Sequence, residues 1–175
     1  QILRDISVSF EEGQIHGIIG RNGSGKTMLM KCICGFIRPT AGRIIVDGNQ
    51  VGRDVDFPPD LGLLIETPGF VPYYSGLKNL ELLAAINRRA SKERLNDCMG
   101  QLGLADAKNK RVSKYSMGMR QRLGIAQAIM EDPKLLILDE PLNGLDEQGV
   151  EDIRALLLEL RNQGKTILLS SHNRE

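Results

Sequence analysis

Apolar residues alternate along the first ten positions, at Ile2, Ile6, Val8 and Phe10, with the period of a half-buried strand. A turn at Glu11-Glu12-Gly13 follows, then a short apolar run, Ile15 to Ile19, that ends in glycines. Met28 to Gly35 reads as a helix. Gly42 to Asp47 reads as a strand closed by the Asp47-Gly48 turn, and Gly62 to Ile65 as another short strand. After Pro68 the period changes. Helices are predicted over Leu77 to Arg89 and Lys92 to Leu102, with Ser91 placed to cap the second. Met119 to Met130 is a third helix, stopped by Pro133. Leu135 to Leu138 is uninterruptedly apolar, as a strand buried on both faces should be. Val150 to Leu160 is helical, and Thr166 to Leu169 is a last strand. Strands alternating with helices predict a parallel α/β core. The block near 68–118 reads as an inserted helical subdomain, and segments near 1–15 and 43–48 as an antiparallel β segment.

Composition narrows this only a little. The 175 residues suit one domain, with 41% hydrophobic and 26% charged positions. Twenty-three basic and 22 acidic side chains leave a net charge of +1, which gives no reason to expect a nucleic-acid partner or an anionic membrane surface. No apolar run approaches the ~18 to 20 residues that span a bilayer, and no signal-peptide pattern is visible. Cys32, Cys34 and Cys98 form no framework and fit a reducing compartment as buried thiols. The chain starts at Gln1 inside strand-like sequence and stops at Glu175, so a fragment of a somewhat larger domain, truncated at both ends, is expected.

Two motifs carry chemistry. Gly20-Arg21-Asn22-Gly23-Ser24-Gly25-Lys26-Thr27 matches G-x-x-x-x-G-K-[ST], between a predicted strand and a predicted helix. Glycines let the backbone wrap phosphate closely, the wrapped amides form an anion nest, and the helix start adds its positive dipole end. Lys26 would reach the β- and γ-phosphates of ATP, and the Thr27 hydroxyl would ligate Mg²⁺. The bland alternative is a glycine-rich turn. Leu135 to Leu138 then ends in Asp139-Glu140. Carboxylates at the carboxyl end of a strand face the crevice where α/β sheets bind ligands. Asp139 would hold Mg²⁺ through water, and Glu140 would orient or deprotonate the water that attacks the γ-phosphate. Alone, the pair could equally be solvated acids at a strand end.

The order of motifs resembles the ATPase domain of ABC transporters over essentially the whole chain. Glu66, Tyr115-Ser116-Met117-Gly118-Met119-Arg120-Gln121-Arg122, Asn143-Gly144-Leu145-Asp146 and Ser170-Ser171-His172 carry the likeness with the two motifs above. The resemblance implies a P-loop NTPase of RecA-like parallel sheet core with an antiparallel β subdomain and a helical insert. It implies that Ser116 and Gly118 contact the γ-phosphate of ATP held by a second ATPase domain. It implies that Asp146 lies in a loop crossing that dimer interface and that His172 meets the γ-phosphate and attacking water. His16 has no such match and is expected to be a strand residue. The family pattern has Gly at Met117, Gln at Met119 and, in most members, Gln at Glu66. A carboxylate at 66 still ligates Mg²⁺ but adds negative charge near the γ-phosphate.

Leu64 to Phe70 together with Tyr115 to Met119 looks like the bacitracin and lantibiotic export branch, where a Glu replaces that Gln. The resemblance therefore implies a transmembrane permease partner, a cytoplasmic place on the inner face of the membrane, and export of peptide antibiotics. Glu66 could instead mark a wider group of exporters. The family's adenine-stacking aromatic would precede Gln1, with Ile2 as a weak apolar substitute. The alternatives are a non-transport ABC ATPase of DNA repair or translation, and an inactive nucleotide-sensing module. The absence of a heptad run between Lys26 and Asp139 argues against the repair type, and intact Lys26, Asp139, Glu140 and His172 argue against the inactive module.

Overall fold

A computed structural model describes residues 3–66 and 68–172. Ile2, and Thr67 of the export-branch stretch, lie outside the described residues. Four strands, β1 (Ile15–Ile19), β4 (Leu61–Leu64), β5 (Leu135–Leu138) and β6 (Thr166–Ser171), form one sheet in the order β1-β6-β5-β4. Every pairing in it is parallel. A separate antiparallel pair joins β2 (Ile45–Val46) to β3 (Asn49–Gln50).

The described residues also form five α-helices: α1 (Lys26–Ile33), α2 (Gly76–Asn87), α3 (Lys92–Gln101), α4 (Met117–Ile129) and α5 (Glu147–Asn162). Four start where a side-chain oxygen accepts from a first-turn amide. Ser75 accepts from Lys78, Ser91 from Arg94 and Asp146 from Gly149. Helix α4 starts the same way on Ser116.

The sheet is apolar on both faces because helices cover both. Met30, Ile33 and Cys34 meet Ile137 and Leu168 on one face. On the other, Leu136, Leu138 and Ile167 share a cluster with α4, α5 and the helices that follow β4, including Leu80, Met99, Leu123 and Ile153. The helices after β4 therefore have no separate core; they bury their apolar stripes against the same cluster as α5.

Close approach between α4 and β4 depends on two glycines. A Cβ on Gly62 of β4 would collide with the Ala128 carbonyl oxygen, and one on Gly124 of α4 would stand 2.8 Å from both Leu64 and Pro68.

The first ten residues depart from the alternation reading. No strand is present over residues 3–14, and Ile6 and Val8 are 49% and 59% exposed. Only Phe10 reaches the core, tilted against His16 at 5.2 Å between ring centroids. The strand expected from Gly42 shortens to Ile45–Val46. Alternation sorts side chains to faces, but a strand also needs a neighbour for its amides, and these segments find little to pair with.

Candidate active site

Parallel strands bring their carboxyl ends together. Ile19 is level with Ser171, and Leu138 with both Leu64 and Leu169. The segments leaving β1, β5 and β6 thus converge at one edge of the sheet, where open α/β sheets bind ligands. Gly20 continues β1 by donating to the Ser171 carbonyl at 3.1 Å. The loop then turns through Gly25, at φ 97°, into the first turn of α1. That left-handed value is strained for any residue with a Cβ.

Lys26 curls back into its own loop. Its Nζ donates to the Gly20 carbonyl at 2.6 Å and the Arg21 carbonyl at 3.3 Å, and stands 3.4 Å from Glu140 Oε1. Thr27 points to β5 and donates from Oγ1 to Asp139 Oδ2 at 2.7 Å. The sequence-predicted phosphate loop and the two carboxylates after β5 are thus in direct contact. Glu140 adopts φ 48°, a left-handed conformation unusual for a non-glycine residue. Its carbonyl accepts from Gln121 Nε2 at 3.0 Å and from the Asn143 amide at 3.1 Å. Its Oε2 meets His172 Nδ1 at 2.9 Å. The acid is therefore held between the loop lysine and the histidine beyond β6.

Thr27 Oγ1 and Asp139 supply hard oxygen donors of the kind Mg²⁺ takes. No group of three or more His, Cys, Asp or Glu able to hold a metal occurs among the described residues. Glu66 stands apart from this pair. At φ 60° it extends to Lys31 Nζ of α1 at 2.5 Å, with its side chain 63% exposed. Ser116 accepts from the Met119 amide at 3.1 Å and is exposed at the start of α4. Gly118 packs on the 143–145 loop: a Cβ there would lie 3.0 Å from the Gly144 carbonyl. Among the described residues no hydrogen bond joins Ser116 or Gly118 to residues 20–27. His16 lies in β1, its Nε2 2.8 Å from the Glu11 carbonyl.

Sequence reasoning assigned no role to three participants: Lys31, Gln121 and Ser170. Lys31 gave no local signal, since its partner is distant in the chain, whereas Gln121 and Ser170 stood inside motifs that carried the resemblance. Ser170 gave a further signal, because it stands two positions before His172, the spacing that returns a strand's side chains to one face.

Comparisons with known proteins identify the family. The ABC transporter family profile matches residues 3–143. The ABC transporter ATP-binding protein YybJ of Bacillus subtilis is 44% identical over 99% of this chain and 80% of its own length. The bacitracin transport ATP-binding protein BcrA of Enterococcus faecalis is 42% identical over 98% of this chain, which spans only 56% of that relative. The lantibiotic transport ATP-binding protein SrtF of Streptococcus pyogenes is 34% identical, with 98% of this chain and 73% of its own length covered. Among solved structures, the dimeric bacterial ABC transporter cassette MJ0796 superposes with a TM-score of 0.88 at 25% identity, covering 98% of this chain and 80% of that one. Family profile, relatives and fold agree, and the chain belongs to the ABC transporter family as an ATP-binding domain.

Proposed function

We propose that this domain hydrolyses ATP at a site completed by a second ATPase domain, and that turnover drives export of peptide antibiotics or related compounds through a transmembrane permease. The observation that carries the chemistry is the position of Glu140. Its carboxylate is held by Lys26 and His172 beside the phosphate loop, where a base for the attacking water belongs. With its proton on Nδ1, His172 donates to Glu140 Oε2 and leaves Nε2 for the γ-phosphate side. Phosphate entering the loop offers Lys26 a partner stronger than the two carbonyls it now holds. Gly20 to Thr27 line the phosphates with their backbone amides.

Thr27 and Asp139 are the residues that would hold Mg²⁺, which when bound neutralises charge on the phosphates. Glu66 would join them through Oε2, since Oε1 is held by Lys31. The exposed start of α4 supports the composite reading. Ser116 presents a hydroxyl at an exposed helix N-terminus, with half-buried Gly118 in the first turn behind it, as a surface awaiting a partner's γ-phosphate would. The neighbouring loop ending in Asp146 would cross the same interface. The cargo class rests on likeness to the bacitracin and lantibiotic proteins. No helix among the described residues is long and apolar enough to cross a membrane. In this reading the span belongs to the permease, and the domain docks on its inner face. The charge balance of +1 supports no nucleic-acid partner.

Glu140→Gln in the full-length protein tests the base assignment. Turnover should fall about 100-fold or more while ATP binding persists and ATP-bound dimers accumulate. Undiminished hydrolysis would remove Glu140 from that role.

A further inference from the structure

Ser170 lies near the end of β6, is 1% exposed, and touches both carboxylate residues of the site. Its Oγ donates to Asp139 Oδ1 at 2.5 Å and accepts the Glu140 amide at 2.8 Å. One hydroxyl can do both, since it carries one proton and two lone pairs. Asp139 is thereby fixed through both oxygens: Oδ2 takes the proton of Thr27, and Oδ1 that of Ser170. The Glu140 backbone, at its left-handed φ of 48°, is pinned from its amide by Ser170 and from its carbonyl by Gln121 and Asn143. Without the hydroxyl, a half-buried carboxylate oxygen and a half-buried amide lose this partner together.

We infer that Ser170 is a positioning residue that couples the metal-facing Asp139 to the base Glu140, holding both at one spacing. This rests on the roles proposed for those two acids. Its logic is that of an outer partner orienting a ligand, which tunes metal affinity without touching the metal. It also explains why β6 ends as it does. Ser171 anchors Gly20 through its carbonyl, Ser170 sets the two acids, and His172 meets Glu140, so three successive residues fix the loop, the carboxylates and the histidine.

The test compares Ser170→Ala, Ser170→Thr and Ser170→Cys in the full-length protein, with Asp139→Asn and Glu140→Gln alongside. Two readouts are needed: ATP turnover, and Mn²⁺ binding in the presence of ATP followed by paramagnetic resonance. Ser170→Ala should lower kcat about tenfold or more and weaken Mn²⁺ binding about tenfold or more. Ser170→Thr, which keeps the hydroxyl, should stay within about threefold of the parent on both. Wild-type Mn²⁺ affinity and kcat in a folded Ser170→Ala protein would overturn the inference, as would a change confined to thermal stability. If the alanine variant does not fold, Ser170→Cys decides, because a thiol is a weak donor; undiminished Mn²⁺ affinity there overturns the inference. Full metal binding in Asp139→Asn together with full turnover in Glu140→Gln would instead refute the roles of the acids themselves.

Discussion

Lys26 is a buried cation, 8% exposed, and its recorded partners are two carbonyls of its own loop and Glu140. Glu140 Oε1 has no hydrogen bond and depends on that ion pair. Lys26→Ala therefore takes a charge from the phosphates and leaves a carboxylate oxygen unpaired. A hydrogen bond to a charged group contributes about 1.5–3 kcal/mol. Loss of ATP affinity by about tenfold to a hundredfold is expected in calorimetric titration. An unchanged dissociation constant would separate Lys26 from phosphate binding. The cysteines give a second residue-scale expectation. Burial pushes the Cys34 thiol up to about 12 and raises Cys32 and Cys98 as well. The thiolate is the reactive form, and a raised value means less of it at pH 8. Iodoacetamide at that pH should label the native chain far more slowly than the urea-unfolded chain. Labelling of native Cys34 at the unfolded rate would contradict its burial.

At the scale of elements, the contact of β4 with α4 is the tightest seam between sheet and helix. Gly62→Ala would press a methyl group into the Ala128 carbonyl. Overpacking of this kind costs about 1–3 kcal/mol, to be read as a lower urea midpoint at constant m-value. A midpoint equal to the parent's would mean that the helix can retreat. Element type was legible wherever an apolar period was long or bounded by a cap, as at Ser91 and at the four-leucine-like run of β5. It failed at residues 3–14, where a period of two recorded faces but no partner strand. The site divides the same way. The loop and the Asp-Glu pair were legible because each is contiguous in sequence. The roles of Ser170 and Lys31 were not, because they depend on which strand β5 has beside it and on where the chain after β4 turns. Glu66 shows the difference: the resemblance implies a place at the metal, and its contact with Lys31 comes only from tertiary structure.

At the scale of the molecule, the exposed start of α4 at Ser116 makes a prediction about stoichiometry. If Lys26 of one copy and Ser116 of another share one nucleotide, a mixed dimer of Lys26→Ala and Ser116→Arg chains keeps one intact site. Carried in a Glu140→Gln background, each homodimer should retain no nucleotide and the mixture should retain one per dimer. Equal failure of the mixture would place Ser116 and Lys26 at the same copy's nucleotide, against the shared site.

The Gly62–Gly124 seam has a mechanical meaning. Close-packed joints have no slack, so what moves one side moves the other. Leu64 and Pro68, which Gly124 abuts, flank Glu66, and α4 runs from this joint to its N-cap at Ser116. The side chain of Met117 lies across Gly144, so the 143–145 loop rides on the same end of the helix. A displacement of the turn would therefore be passed to α4 and to the 143–145 loop packed on its first turn, rather than absorbed at the joint.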